Sequence, residues 1–380
     1  MDKVTAAVAR GPNPLTDGRF PTAVNGRIPS LDGLRATAIA LVVVSHRAGN
    51  RYWIPGVAMG RFPLTMMTGN LGVRVFFVIS GFLITTLLFQ EWHLSGGGIS
   101  LRAFYMRRAL RILPASYAYL ACLAALAAAG FLAIPRQDFA ASFLYFRDYV
   151  GSSWYTGHLW SLSIEEQFYL VWPASLVLLG RRAGLIMAAS TLPISAILRV
   201  YQPGAHTFGA NMDSIACGCL LAGAWERIGG FARWQSFTAS PFFWLLPVGI
   251  LASNKVRAMS GVGPAVALGF SNLLIAAVVE RFVRQSRTPT GRLLNCRLFV
   301  AVGALSYSLY LWQEPWMYAG GQSWMQTIPV NVVLAILCAT VSYYCIEQPF
   351  RRYGKRWRTT NTSICRAYQP NPSDPGTGFE

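Results

Sequence analysis

Long apolar runs separated by short polar segments fill most of this 380-residue chain. A helix needs about 20 mostly apolar residues to cross a hydrocarbon core of ~30 Å. Ten stretches approach that length, at 33–50, 70–90, 112–134, 157–179, 183–200, 209–226, 239–253, 262–282, 298–318 and 326–347. The seventh is the shortest. A further stretch, 138–150 (DFAASFLYFRDYV), carries Asp138, Arg147 and Asp148 and reads as interfacial or re-entrant rather than spanning. The pattern predicts an all-α, polytopic integral membrane protein with about ten transmembrane helices. Three regions follow: a flexible segment over 1–30, a membrane domain over 31–352, and a basic, then disordered tail over 353–380. The first thirty residues lack the apolar core of a secretory leader, and no internal repeat of the inverted-transporter kind is visible.

Composition agrees with this picture. Charged residues make up 13% of the chain, against about 25% in an ordinary soluble domain, and mean hydropathy is +0.38. A disordered chain and an ordinary soluble enzyme are both excluded on this basis. The formal net charge of +18 would suit nucleic acid in a polar protein. In an apolar one it belongs in cytoplasmic loops beside anionic lipid. With the N-terminus inside, 24 of the 33 Lys and Arg fall on the cytoplasmic side, so both termini are expected there. The seven cysteines sit mostly in apolar runs, and Cys217 and Cys219 have no second pair at zinc spacing, so no metal site or cofactor is expected.

Ionisable groups at membrane depth are costly and by default point to function. In LDGLRATAIALVVVSHRAGN, Arg35 and His46 are 11 positions apart. That separation is within roughly 20° of three full turns, so both lie on one face about 16 Å apart along the axis. Arg35 can hold an anionic group, and His46 can act as a base near neutral pH. The plainer alternative is a snorkelling arginine with a histidine satisfied by a neighbouring helix. In HLWSLSIEEQFYLVWP, His158, Ser161 and Glu165 share a face, and Glu166 points elsewhere. The two carboxylates need a cation or protonation as compensation. They can orient a base, receive a proton or bind a hydroxyl-rich acceptor, or form a structural ion pair, for instance with Arg74. Arg102, Arg107, Arg108 and Arg111 form a basic surface. Its Arg108 and Arg111 are spaced to offer guanidinium forks to phosphate, or simply to anchor the inner face. Asp213, Glu314 and Glu347 complete the buried acids, with Glu347 placed to pair with Arg351 or Arg352. No nucleophile elbow, P-loop or H-E-x-x-H is present.

Seven strings in order, LDGLRATAIALVVVSH, GVRVFFVISGFLI, FYMRRALRILPASY, HLWSLSIEEQFYLVWP, MDSIACGCLLA, SYSLYLWQEP and IEQPFRR, run from about 31 to 352. Together they closely resemble the membrane acyltransferase-3 family, acyl-CoA-dependent O-acyltransferases that modify surface carbohydrates. The resemblance implies essential roles for Arg35 and His46. It implies use of the acyl-CoA donor by Arg108 and Arg111, and a functional segment from Ser161 to Tyr169 containing Glu165 and Glu166. Where members often have an arginine two residues before the position of Asp213, this chain has Asn211, which leaves Asp213, like His158 and Ser161, either acceptor-binding or structural. Many members add a periplasmic SGNH-type esterase domain after the last span. None is read here, so transfer is expected to rest on the membrane domain, alone or with a periplasmic partner protein.

The expected chemistry is transfer of an acyl group, acetyl by preference, from cytoplasmic acyl-CoA to a sugar hydroxyl of a lipid-linked or nascent surface polysaccharide at a bacterial inner membrane. His46 is expected to serve as base, or as a transient acyl carrier, and Glu165 or Glu166 to orient it or hold the sugar. Membrane lipid is the surrounding partner, and nucleic acid is not one. Two alternatives stay open: acylation of a small molecule such as a macrolide, and non-catalytic glycolipid transport.

Overall fold

The computed structural model describes residues 20–21, 27–48, 52–54, 57–58, 63–255, 261–318 and 323–354. The N-terminal segment and the tail read from sequence lie almost entirely outside these residues.

The described chain is helical apart from a short hairpin, β1 (Tyr52–Ile54) with β2 (Val57–Ala58). The long helices are α1 (Leu31–Ala48), α2 (Pro63–Leu94), α3 (Leu101–Ala128), α6 (Leu159–Tyr201), α7 (Phe208–Gly230), α10 (Val262–Arg284), α12 (Arg297–Trp312) and α13 (Val330–Ser342). Short helices join them: α4 (Arg136–Phe143), α5 (Trp154–Gly157), α8 (Ala232–Ala239), α9 (Leu245–Lys255) and α11 (Pro289–Leu294). By length and apolarity, five described helices can cross a membrane, or six if α8 and α9, bent by 78° at Ser240, count as one span. The 138–150 stretch holds only α4 and turns, and eight helical residues reach about 12 Å, too little to cross.

The two predicted spans on either side of residue 180 form one run that breaks at Gly180 (φ 79°, ψ 169°). A positive φ of this kind suits glycine, which has no Cβ to clash. The chain reverses there, because Gly184 packs back on Leu176 and Trp172. In a straight helix those pairs would be about 12 and 18 Å apart.

The centre is built on α1, which lies between α2 and α12, while α2 packs on α7 and α7 on α6. Its core joins Ile39, Phe77, Ile84, Tyr119, Ile164 and Leu176. Large apolar side chains also cover the outside: Leu170, Leu178, Ile186 and Phe270 are exposed. That arrangement suits hydrocarbon as the surrounding medium. α13 shows it on one helix, with Ala335, Ala339 and Ser342 buried and Val333, Ile336, Leu337 and Val341 facing out.

Between lipid-soluble helices close contact comes from small residues. A Cβ on Gly81 would lie 2.0 Å from the Ile215 carbonyl oxygen, and one on Gly218 2.1 Å from that of Val78. Both obstacles are backbone. Gly81→Ala is therefore expected to destabilise the fold by about 1–3 kcal/mol or more through overpacking. Thermal unfolding in detergent reads this, and an unchanged midpoint would contradict the close α2–α7 crossing.

Candidate functional site

One end of α1 carries Arg35 and the other carries His46, and each meets a different set of neighbours. Near the Arg35 end, a cavity of about 90 Å³ opens between α1, α2, α3, α6 and α12. Arg35, Arg108, Arg111, Ser161 and Glu165 all line it, with Ser80, Tyr169, Tyr307 and Tyr310. Three guanidiniums thus face one carboxylate. Arg35 lies 3.6 Å from Asp32, which also meets Arg27 at 3.5 Å. Arg108 sits over the Tyr169 ring at 5.3 Å, a favourable cation–π distance. Arg107 takes no part: it pairs with Glu91 at 3.2 Å.

Glu165 is held by short hydrogen bonds from Ser80 Oγ (2.5 Å) and the Tyr169 hydroxyl. It does not touch His46. Glu166 is half-buried, and its Oε1 makes no hydrogen bond. The structural pairing of these acids with Arg74 does not occur. Arg74 donates to Asn272 Oδ1 (2.7 Å) and the Leu268 carbonyl (2.5 Å). Six residues along α2 separate Arg74 from Ser80, a turn of about 600°, so the two side chains leave different faces. Glu347, by contrast, bonds Arg351 (3.1 Å) and Ser308 (3.0 Å).

At the other end of α1, His46 meets Glu314, which follows α12 in a 3-10 turn, Glu314–Trp316. His46 Nδ1 lies 3.1 Å from Glu314 Oε2 and 3.0 Å from Gln313 Oε1. Gln313 Nε2 donates to the same Glu314 oxygen at 2.8 Å. Glu314 and Gln313 are buried, while the His46 side chain keeps 26% of its surface accessible. Trp154 closes the group: its indole N–H donates to the Glu314 carbonyl (3.0 Å), and its ring meets that of His46 edge-on at 5.8 Å. A carboxylate on Nδ1 fixes the imidazole tautomer and leaves Nε2 as the basic nitrogen.

The two ends are joined through α6 and α12. Ser161 Oγ and the Tyr310 hydroxyl are 2.5 Å apart, and Tyr310 donates to the His158 carbonyl at 2.5 Å. The His158 ring is buried between Tyr119 and Tyr310, with Nδ1 3.8 Å from Glu314 Oε2. Neither of its ring nitrogens makes a hydrogen bond. Asp213 is not in this group. It lies one helix away, bonded to Arg199 and Asn272 (3.0 Å).

Sequence reasoning singled out Glu314 as a buried acid and gave it no partner; it passed over Gln313, Ser80 and Tyr310, and named Tyr169 only as the end of the Ser161–Tyr169 segment. The signal available for Gln313 and Glu314 was the polar pair at the end of an apolar span, since such groups persist only with a partner or a role.

Buried apolar-faced helices carrying a carboxylate-oriented histidine at one end and an arginine-rich cavity at the other define a multi-pass membrane protein with an internal site. The sequence model of the acyltransferase-3 family, described as an acyltransferase domain, matches residues 28–347, and the chain belongs to that family. Among similar proteins, the O-acetyltransferase OatA of Staphylococcus aureus (strain NCTC 8325 / PS 47) is 29% identical over 375 residues, which cover 86% of this chain and 58% of the relative. A provisionally named O-acetyltransferase of Staphylococcus aureus (strain COL) is 29% identical over 381 residues, covering 87% and 59%. The chain spans about three-fifths of the length of these curated relatives. No solved structure matches it significantly.

Proposed function

We propose that this protein is a membrane O-acyltransferase that moves an acetyl group from cytoplasmic acyl-CoA to a sugar hydroxyl of a surface glycan. The observation that carries the reading is the convergence of Arg35, Arg108 and Arg111 on one cavity with a single facing carboxylate. Such an excess of guanidinium calls for a polyanion, and guanidinium forks match phosphate oxygens. In this reading the CoA phosphates dock there and the thioester is carried along α1 toward His46.

The acceptor hydroxyl gives its proton to His46 Nε2. Its oxygen attacks the thioester carbonyl, and the tetrahedral intermediate collapses with cleavage of the C–S bond. The thiolate leaves and takes up a proton as free CoA. Glu314, braced by Gln313, holds the imidazole and balances its charge while it carries the proton. Glu165 acts in the cavity beside the donor rather than on His46, and Ser161 and His158 lie on the path between. The names of the relatives, O-acetyltransferases, support acetyl as the group transferred.

The same reading places ten spans in a bacterial inner membrane with both termini cytoplasmic, over a catalytic domain of residues 31–352. Support comes from the reversal at Gly180, which divides α6 into two legs, and from the bent α8–α9 pair. It also places the Arg35 end of α1 inward and the His46 end outward.

The test is direct. Purified protein in nanodiscs, given acetyl-CoA and a polysaccharide acceptor, is expected to release CoA in step with acetyl ester formed on the sugar. Acceptor movement across a vesicle without any CoA release would replace enzyme by transporter.

A further inference from the structure

The stretch 138–150, interfacial by its sequence, holds two buried charges that the chemistry above does not use. Asp138 on α4 is fully buried and Arg147 nearly so, and they pair at 3.7 Å. Both turn to one short piece of backbone. Asp138 Oδ2 accepts from the amides of Ser152 (3.0 Å) and Ser153 (2.6 Å). Arg147 donates to the carbonyls of Val150 (3.0 Å) and Ser153 (3.1 Å) and to Thr156 Oγ1 (3.1 Å). Burying an ion pair costs solvation that its attraction barely returns, so this pair fixes a geometry more than it adds stability. The residues it fixes are Trp154 and Tyr155, which lie between Ser153 and Thr156 at the start of α5.

Both are half-buried aromatics, and so is Tyr318, two residues after the Glu314–Trp316 turn. The Tyr318 ring lies 5.8 Å from that of Trp154 and 5.7 Å from that of Tyr155, tilted by 52° and 43°. Trp154 in turn stands 5.8 Å from the ring of His46, whose side chain is partly accessible. Two further bonds lock the group in place. The Tyr119 hydroxyl donates to the Tyr155 carbonyl (2.7 Å), and the Trp154 indole N–H to the Glu314 carbonyl (3.0 Å). A run of three partly open rings therefore begins beside the base, held by backbone bonds, so a ligand pays little to order it. The face of an aromatic ring is the negative side of its quadrupole. The C–H bonds on the face of a pyranose present the complementary positive ends. Trp154 is also close enough to His46 for one sugar ring to touch both.

We propose that Trp154, Tyr318 and Tyr155 form the acceptor subsite, stacking on the C–H faces of the pyranose rings of a glycan. The assignment rests on the glycan-acceptor reading above and adds to it what holds the sugar, ring faces rather than charge. The acetylated sugar sits against Trp154, where its hydroxyl meets His46, and the next sugar of the chain lies toward Tyr318 and Tyr155. Selection then follows from sugar shape. A pyranose with equatorial hydroxyls offers an uninterrupted C–H face, and one with axial hydroxyls on both faces does not. The Asp138–Arg147 pair is the brace behind the rings and touches neither donor nor acceptor.

The experiment uses the whole chain in nanodiscs, with a hexasaccharide of β-1,4-linked N-acetylglucosamine as the probe. Without acyl donor, saturation of aromatic protein protons is expected to pass mainly to the axial ring protons of one sugar face. Tyr318→Leu keeps apolar bulk and removes the ring. It is expected to weaken probe binding by about 10-fold, while Tyr318→Phe, which keeps the ring, stays within about two-fold of the parent. Tyr155→Leu against Tyr155→Phe repeats the comparison should the first leucine variant not fold. With acetyl-CoA present, the leucine variants are expected to raise the acceptor concentration for half-maximal transfer to the same degree and to leave the donor requirement unchanged. Absence of probe binding by the parent, or equal binding by the leucine and phenylalanine variants, would overturn the assignment and leave the rings as anchors at the membrane interface. Binding of phosphocholine with none of the probe would assign them to a headgroup cation and overturn it as well. Ring-dependent binding without acetyl transfer would keep the subsite and remove the transferase reading. Transfer with an acceptor requirement that Tyr318→Leu leaves unchanged would do the reverse.

Discussion

Replacing Glu314 by glutamine is expected to lower acetyl transfer by about 10²- to 10⁴-fold with little change in the acetyl-CoA concentration needed for half-maximal rate. The substitution keeps the shape of the side chain and removes the charge that faces His46 Nδ1 at 3.1 Å. An amide in that place can present either its oxygen or its N–H, so the imidazole loses its fixed tautomer and the balance for its positive charge. His46→Ala is expected to cost as much, since it removes the base itself. In the proposed mechanism the two residues act as one unit, so the double variant is expected to be hardly slower than the worse single one. Rates on purified protein in nanodiscs, at matched amounts of folded protein, check this. A Glu314→Gln enzyme within a few-fold of the parent would remove Glu314 from the mechanism, and losses that multiply in the double variant would show that the pair does not work together.

The second large effect is expected at the Arg35 end of α1, in the cavity proposed to take the donor. Arg111→Ala is expected to raise the acetyl-CoA concentration for half-maximal rate by about 10- to 100-fold, the range for loss of a hydrogen bond between charged groups. Arg107→Ala is the control. Its side chain pairs with Glu91 on the surface and does not line the cavity, although it lies only one residue from Arg108 on the same helix. Donor titrations of the two variants are expected to separate widely. Superimposable curves would mean that the arginines act as an undivided basic surface, and the phosphate assignment would fail.

What could be read from sequence followed what a single helix encodes. Apolar run length gave the positions of α1, α2 and α10 and only the later part of α3, whose run at 112–134 is displaced from Leu101–Ala128, and the periodicity of α1 placed Arg35 and His46 on one face. Spacing also separated Glu165 from Glu166, and only Glu165 lines the cavity. The partner of His46 was not legible. Glu314 is 268 positions away on another helix, and no periodicity within α1 or α12 says which face meets which. Arg74 shows the same limit. It was a reasonable partner for the buried acids by charge, but the azimuth of α2 turns it toward Asn272 and Leu268 and leaves Ser80 to meet Glu165. The reversal at Gly180 was visible because two apolar runs flank a charged pair, Arg181 and Arg182. The 78° bend between α8 and α9 was not, because the apolar run at 239–253 reaches α9 and leaves the more polar α8 (Ala232–Ala239, ARWQSFTA) outside it but for its last residue.

Arg35 and His46 stand on a single uninterrupted helix, and in the proposed mechanism that helix serves as a ruler between the donor and acceptor chemistries. One residue inserted or removed between them would turn His46 by about 100° away from Glu314 and shift it 1.5 Å along the axis. On that reading the stretch from 35 to 46 cannot vary in length, while its buried Ala38, Ile39 and Val42 also hold it to small or close-fitting apolar side chains. Changes of length are left to the loops beyond it, so the machinery for different acceptors can diversify without retuning the reach from donor to base.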